Sequence, residues 1–183
     1  MKRSIVPLLL LGLCFASCSS SIFKKIANTT YTTSRDEGHE GNAKILKGII
    51  NRQILETDTA FNWFKDNMKY GQPDANAVNS FAKNKDKFAI IVFGGSWCHD
   101  TQNLLPTFYK LIDKSGFPAD KVYLIGVDRA KTTILNLHKK YNITNVPTFI
   151  VTDLLGKELG RVVEYGKTGT PDKELGEIVS KIQ

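Results

Sequence analysis

A chain of 183 residues with 42% hydrophobic and 23% charged side chains has the composition of a globular protein with one ordinary core, which excludes disordered and collagen-like classes. Lys and Arg number 25 against 18 Asp and Glu, a formal charge of +7, but the lysines are scattered and form no repeated basic face, so nucleic acid is not an expected partner. Three cysteines are too few for a disulfide-built scaffold.

The chain opens with Lys2-Arg3, an apolar run from Ile5 to Phe15, and the small residues Ala16-Ser17 before Cys18. A basic start, a short greasy stretch and a small-residue exit are the three regions of a secretory signal, and the run is too short to cross a bilayer. Phe15-Ala16-Ser17-Cys18 also resembles the lipobox of bacterial lipoproteins, which implies that residues 1–17 are removed and that Cys18 is lipidated. Cys14 fits less well, because bulky Leu13 would occupy the cleavage position. The protein is therefore expected to be exported and lipid-anchored in the bacterial cell envelope, at the outer membrane facing the periplasm.

Residues 18–43 are rich in Ser, Thr, Asn, Gly and charge, and read as a flexible tether. Residues 44–74 read as an N-terminal helical extension: Ile45, Leu46, Ile49, Ile50 and Ile54 suggest one helix, and Phe61, Phe64 and Met68 a second. Gly71, Pro73 and Asp74 break that pattern, and a short helix near 76–84 follows.

The main domain is placed at 75–183. Phe88 to Phe93 is a continuous apolar run, the mark of a strand buried on both faces. Gly94-Gly95-Ser96 turns the chain, and Leu104, Leu105, Phe108, Leu111 and Ile112 recur at helical spacing, predicting an amphipathic helix over 98–114 bent at Pro106. A second strand over 121–127 and a helix marked by Ile134, Leu137 and Tyr141 continue a strand-helix rhythm suited to parallel pairing. Strands at 148–152 and 159–165 are joined by a turn short enough for an antiparallel hairpin. The last helix opens at Thr170-Pro171, a capping hydroxyl before a first-turn proline. The fold class is α/β: a mixed sheet with helices on both faces.

The buried strand, Trp97-Cys98 at a helix start, Pro106 eight residues beyond that cysteine, and Val146-Pro147-Thr148 before a strand together resemble the thioredoxin family over about residues 75–183. The resemblance implies that Cys98 is an exposed attacking thiol facing a cis Pro147. It departs from the usual Cys-x-x-Cys at one place, since the motif here is Cys98-His99-Asp100-Thr101, and Thr101 cannot form a disulfide. A buried acidic residue that many members carry six positions earlier is matched by Val92. An unaided dithiol cycle is therefore excluded, and an external thiol must release any mixed disulfide.

Residue chemistry adds its own expectations. A sulfur in the first turn of a helix lies near unpaired N–H groups that favour thiolate. The Thr101 hydroxyl is positioned to donate to it, His99 would assist when protonated, and Asp100 would oppose. Trp97, Pro147 and Thr148 are candidate substrate-facing residues. No metal is expected, because Cys98, His99 and Asp100 are adjacent and rarely aim at one ion, while His39 and His138 lack a ligand-spaced companion. No cofactor is expected: Gly94-Gly95-Ser96 lacks the lysine of a phosphate loop. The functional expectation is thiol-disulfide exchange with cysteine-containing envelope proteins or small thiols. The alternative is a non-enzymatic peptide- or protein-binding module on a tethered thioredoxin fold.

Overall fold

The structure, a computed structural model, describes residues 22–27, 29–38 and 43–182. The signal segment 1–17, Cys18 and His39 lie outside the described residues. Six strands form one mixed sheet: β1 (Tyr31–Arg35), β2 (Lys44–Ile50), β3 (Ala89–Gly94), β4 (Val122–Gly126), β5 (Thr148–Thr152) and β6 (Glu158–Val163), in the spatial order β1-β2-β4-β3-β5-β6. β3 and β4 are parallel and every other pairing is antiparallel. Parallel pairing therefore holds for the crossover between 94 and 122 but not for the connection through 134–141, which delivers β5 antiparallel to β3; the short turn after 152 closes an antiparallel hairpin as the sequence indicates.

Every residue of β3 is buried, because helices cover both faces of the sheet. On one face Ile90 and Val92 of β3, Leu124 and Phe149 pack against α2 (Arg52–Thr57), α3 (Asn62–Asn67), α4 (Ala75–Asn84), α5 (His99–Ser115) and α7 (Pro171–Ser180). On the other, Ile91, Phe93, Ile125 and Ile150 meet α1 (Ile22–Ala27) and α6 (Leu137–Lys140) through Phe23, Ile26, Leu137 and Tyr141. This alternation along β3 is the two-residue period of a strand serving two cores.

The N-terminal part differs from its sequence reading. The stretch read as a tether contributes α1 and β1, and the helix expected over 45–54 is instead strand β2 followed by the six-residue α2. The pairs Ile45-Leu46 and Ile49-Ile50 have helical i,i+4 spacing, but a strand covered on both faces produces the same adjacent apolar pairs. Leu46 and Ile50 point into the core beneath α5, while Ile49 packs with the opposite cluster. Gly126 admits this strand: a Cβ there would lie 2.2 Å from the Leu46 carbonyl oxygen.

Two helices carry position-specific chemistry. Pro106 lies inside α5 and removes the N–H that would bond the Gln102 carbonyl; Asn67 Nδ2 of α3 donates to that carbonyl instead, at 3.0 Å. Gly116 ends α5 in the left-handed region at φ 61°, where glycine avoids the Cβ penalty. In α7 Pro171 holds the first position as expected, but Thr170 makes no capping hydrogen bond. Its hydroxyl lies 2.8 Å from that of Thr168, and Glu174 accepts the N–H groups of Lys167 and Thr168 across the preceding loop.

Candidate active site

β3 delivers the chain through Gly95-Ser96-Trp97 to the start of α5, where Cys98 occupies the N-cap position with extended backbone. Hydrogen bonds within the loop and to α5 hold it in place. Cys98 N–H donates to Gly95 O at 2.9 Å, Gln102 Nε2 donates to Ser96 O at 2.9 Å, and Gly95 N–H donates to Thr101 Oγ1 at 3.2 Å. Gly95 has room for no side chain, since a Cβ there would lie 2.8 Å from the Trp97 indole.

The Cys98 thiol is half-buried and reduced, and donates to the Val146 carbonyl at 3.2 Å. The Val146–Pro147 peptide bond is cis, as the family resemblance implies. The sulfur makes no capping hydrogen bond to the helix. The hydrogen bond expected from Thr101 to this sulfur does not form among the described residues; Thr101 is buried and its hydroxyl oxygen accepts the Gly95 N–H. Thr101 is thus a brace for the Gly94-Gly95 turn, and its methyl approaches to 3.0 Å of a Cβ placed on Gly94.

Pro147 and Thr148 follow Val146 into β5 and are both buried. The Pro147 carbonyl accepts the Glu164 N–H at 2.7 Å, and Thr148 is 1% exposed, set between Phe93 and Val163 in the sheet. The backbone beside the thiol is that of Val146. His99 is exposed and Asp100 half-buried on the first turn of α5. Val92 is fully buried among apolar neighbours, with no acidic group in its place.

Trp97 forms one wall of the site. Its Nε1–H donates to the Val127 carbonyl at 3.0 Å, and the Arg129 guanidinium lies 5.2 Å from its ring. Arg129 Nε and Nη2 grip both oxygens of Asp36, at 2.7 and 2.9 Å, and Asp36 is buried at the end of β1. The carboxylate hydrogen bond holds the Arg129 guanidinium above its usual range, against the opposing effect of burial. Asp128 is engaged elsewhere, with Lys47 Nζ at 2.6 Å and the Thr132 hydroxyl at 2.6 Å. Burial pushes the Asp128 carboxyl up, but these partners outweigh it and hold it below its ordinary value.

Sequence reasoning missed Asp36, Arg129 and Val146. The first two are 93 positions apart, and Asp36 falls in a stretch of tether-like composition. Only the proline that follows Val146 signals it.

A sequence model of the family described as Thioredoxin matches residues 72–174, more than half of the chain. Thioredoxin H2 of Arabidopsis thaliana is 28% identical over 101 residues, covering 55% of this chain and 67% of that protein. Among solved structures, an HIV epitope-scaffold protein aligns with a TM-score of 0.44 and 16% identity, covering 64% of this chain and 80% of its own. A protein of unknown function from Pseudomonas aeruginosa aligns with a TM-score of 0.34 and 16% identity, over 72% and 76% of the two chains.

Proposed function

Since the chain belongs to the thioredoxin family, whose domain suggests a redox or thiol-disulfide role, we propose that it is an exported, membrane-tethered protein that forms mixed disulfides through Cys98 alone. The observation that carries this reading is the placement of a half-buried thiol at the head of α5, 3.2 Å from the carbonyl that precedes a cis proline. In the proposed step the Cys98 thiolate attacks one sulfur of a partner disulfide. That S–S bond breaks, a Cys98–partner S–S bond forms, and the departing thiolate takes a proton from water. No net oxidation occurs. Because Thr101 supplies no second sulfur, release needs a second attack by a thiol from another molecule, either a small thiol or a cysteine of an envelope protein.

Lipidation of Cys18 completes the account. It leaves Cys98 as the sole thiol of the processed chain, so any protein disulfide that chain makes is intermolecular. Incubation with glutathione disulfide followed by intact-mass measurement tests the reading. One glutathione adduct on the parent and none on Cys98→Ser is the expected outcome. Partners retained equally by Cys98→Ser, with no covalent adduct on the parent, would instead support the binding-module reading.

A further inference from the structure

We propose that the tip of the β5–β6 hairpin, together with the exposed lysines of α1, lies against a phospholipid bilayer, so that the thiol end of the sheet faces away from the membrane. This inference rests on the lipid-anchor reading of Cys18. The first observation is where the chain enters the domain. Ile22 opens α1, and its Cγ2 would lie 2.3 Å from a Cβ on Gly156, so the polypeptide arrives directly beside the hairpin turn. Four peptide steps separate Cys18 from Ile22, a reach of at most ~14 Å at ~3.5 Å per residue. A lipid on Cys18 therefore holds this end of the domain, rather than another, close to the bilayer.

The second observation is what the tip presents. Leu155 is 76% exposed, Leu154 47% and Leu159 44%. Lys157 of the turn is exposed, as are Lys24 and Lys25 of α1, the helix whose Ile22 abuts Gly156. The turn is held rigidly: Asp153 Oδ1 accepts the N–H groups of both Leu155 and Lys157, and Gly156 N–H donates to Asp153 O. An apolar tip with a cationic rim matches the interface of an anionic bilayer, where leucines enter the headgroup layer and lysines stay with the phosphates.

Orientation follows from the register. β5 pairs Phe93 with Thr148 at the thiol end and Ala89 with Thr152 at the hairpin end. These ends are separated by the length of β5, about 13 Å from Thr148 to Thr152 at ~3.3 Å per residue. Seated on its hairpin tip, the domain presents Cys98 to the aqueous compartment. Its partners would be proteins or thiols in that compartment, not cysteines in the plane of the membrane.

The test places a tryptophan at each end. Leu155→Trp and, beside the site, Tyr165→Trp are prepared as lipidated protein in vesicles of phosphatidylethanolamine and phosphatidylglycerol, with and without brominated acyl chains. Most of the emission added by Leu155→Trp should be quenched, whereas the emission added by Tyr165→Trp and that of the parent should change little. Equal quenching at both ends, none at either, or quenching confined to Tyr165→Trp overturns the orientation. Palmitate incorporation into the parent and not into Cys18→Ser tests the anchor separately. If incorporation fails, the same quenching is read on Cys98→Ser protein coupled through Cys18 to a maleimide lipid. Quenching at Leu155→Trp would then retain the lipid-facing tip while the natural anchor falls.

Discussion

At Cys98 the sulfur donates to the Val146 carbonyl, and the residues around it act mainly to hold that encounter. Trp97 is held by three groups, since Gly95 lies under its ring, Val127 accepts its N–H and Arg129 stacks on it. Arg129 is in turn held by buried Asp36. We expect Arg129→Ala to loosen the indole, visible as a loss of near-ultraviolet circular dichroism, and to slow mixed-disulfide formation by about two- to fivefold. That is well below the ~100-fold cost of displacing a reacting group itself. An unchanged spectrum and rate would show that Trp97 needs no such brace. The thiol, the tryptophan and the cis proline were all legible in the sequence, because each sits in a short contiguous motif. Asp36 and Arg129 were not, because a long-range pair between two isolated charged residues leaves no local pattern.

Among the elements, β2 joins the N-terminal part to the site. β4 pairs with β2 only from Gly48 to Ile50, and Ser96 serves the backbone beyond: its Oγ accepts the Leu46 N–H at 3.1 Å and donates to the Lys44 carbonyl at 2.8 Å. Ser96→Ala leaves both groups without this partner in a buried place. A loss of about 1–3 kcal/mol in chemical denaturation is expected. A second element-level test concerns the contact of α4 with α7. Glycine to alanine inside a helix ordinarily gains up to ~1 kcal/mol, but a Cβ on Gly176 would lie 2.5 Å from the Ala77 Cα. Gly176→Ala should therefore destabilise, by about 1–3 kcal/mol, through forced separation of the two helices. A gain in stability would contradict that packing.

Most strands and helices from α4 onward follow their sequence periodicity, since each serves one or two faces of a single sheet; the helix expected from Ile134 to Tyr141 does not, because Leu135 and Asn136 take left-handed backbone at φ 53° and only Leu137–Lys140 is α-helical. The region before residue 58 does not. Its apolar pairs fit helix and doubly buried strand equally, and the polar β1 carries almost no apolar signal, with four of its five residues exposed. That strand is specified by its partner β2 and not by its own composition.

For the molecule as a whole, several carboxylates tie distant parts together, and their protonation sets its behaviour in acid. Asp58 is held below its ordinary value by Lys44 Nζ and the Ala60 N–H, and Asp128 is held low by Lys47 and Thr132 against the upward push of burial. A carboxyl lowered in the folded state contributes stability that is complete above its unfolded value, near ~3.9, and is lost as pH falls through the folded value. Denaturation series from neutral pH down to about pH 2.5 should therefore show a smaller loss for Asp128→Asn than for the parent. The difference should be at most ~1 kcal/mol, because this pair is partly solvated. Identical slopes would show that the pair contributes nothing to acid sensitivity.

If Cys18 carries a lipid as proposed, the domain that these contacts hold together has one thiol to offer, Cys98, and the proposed exchange depends on that sulfur reacting. Intact-mass measurement of the processed protein after exposure to glutathione disulfide reads this directly. A single reducible adduct, mapped to Cys98 and absent from Cys98→Ser, is predicted; a parent protein whose mass does not change would contradict the account.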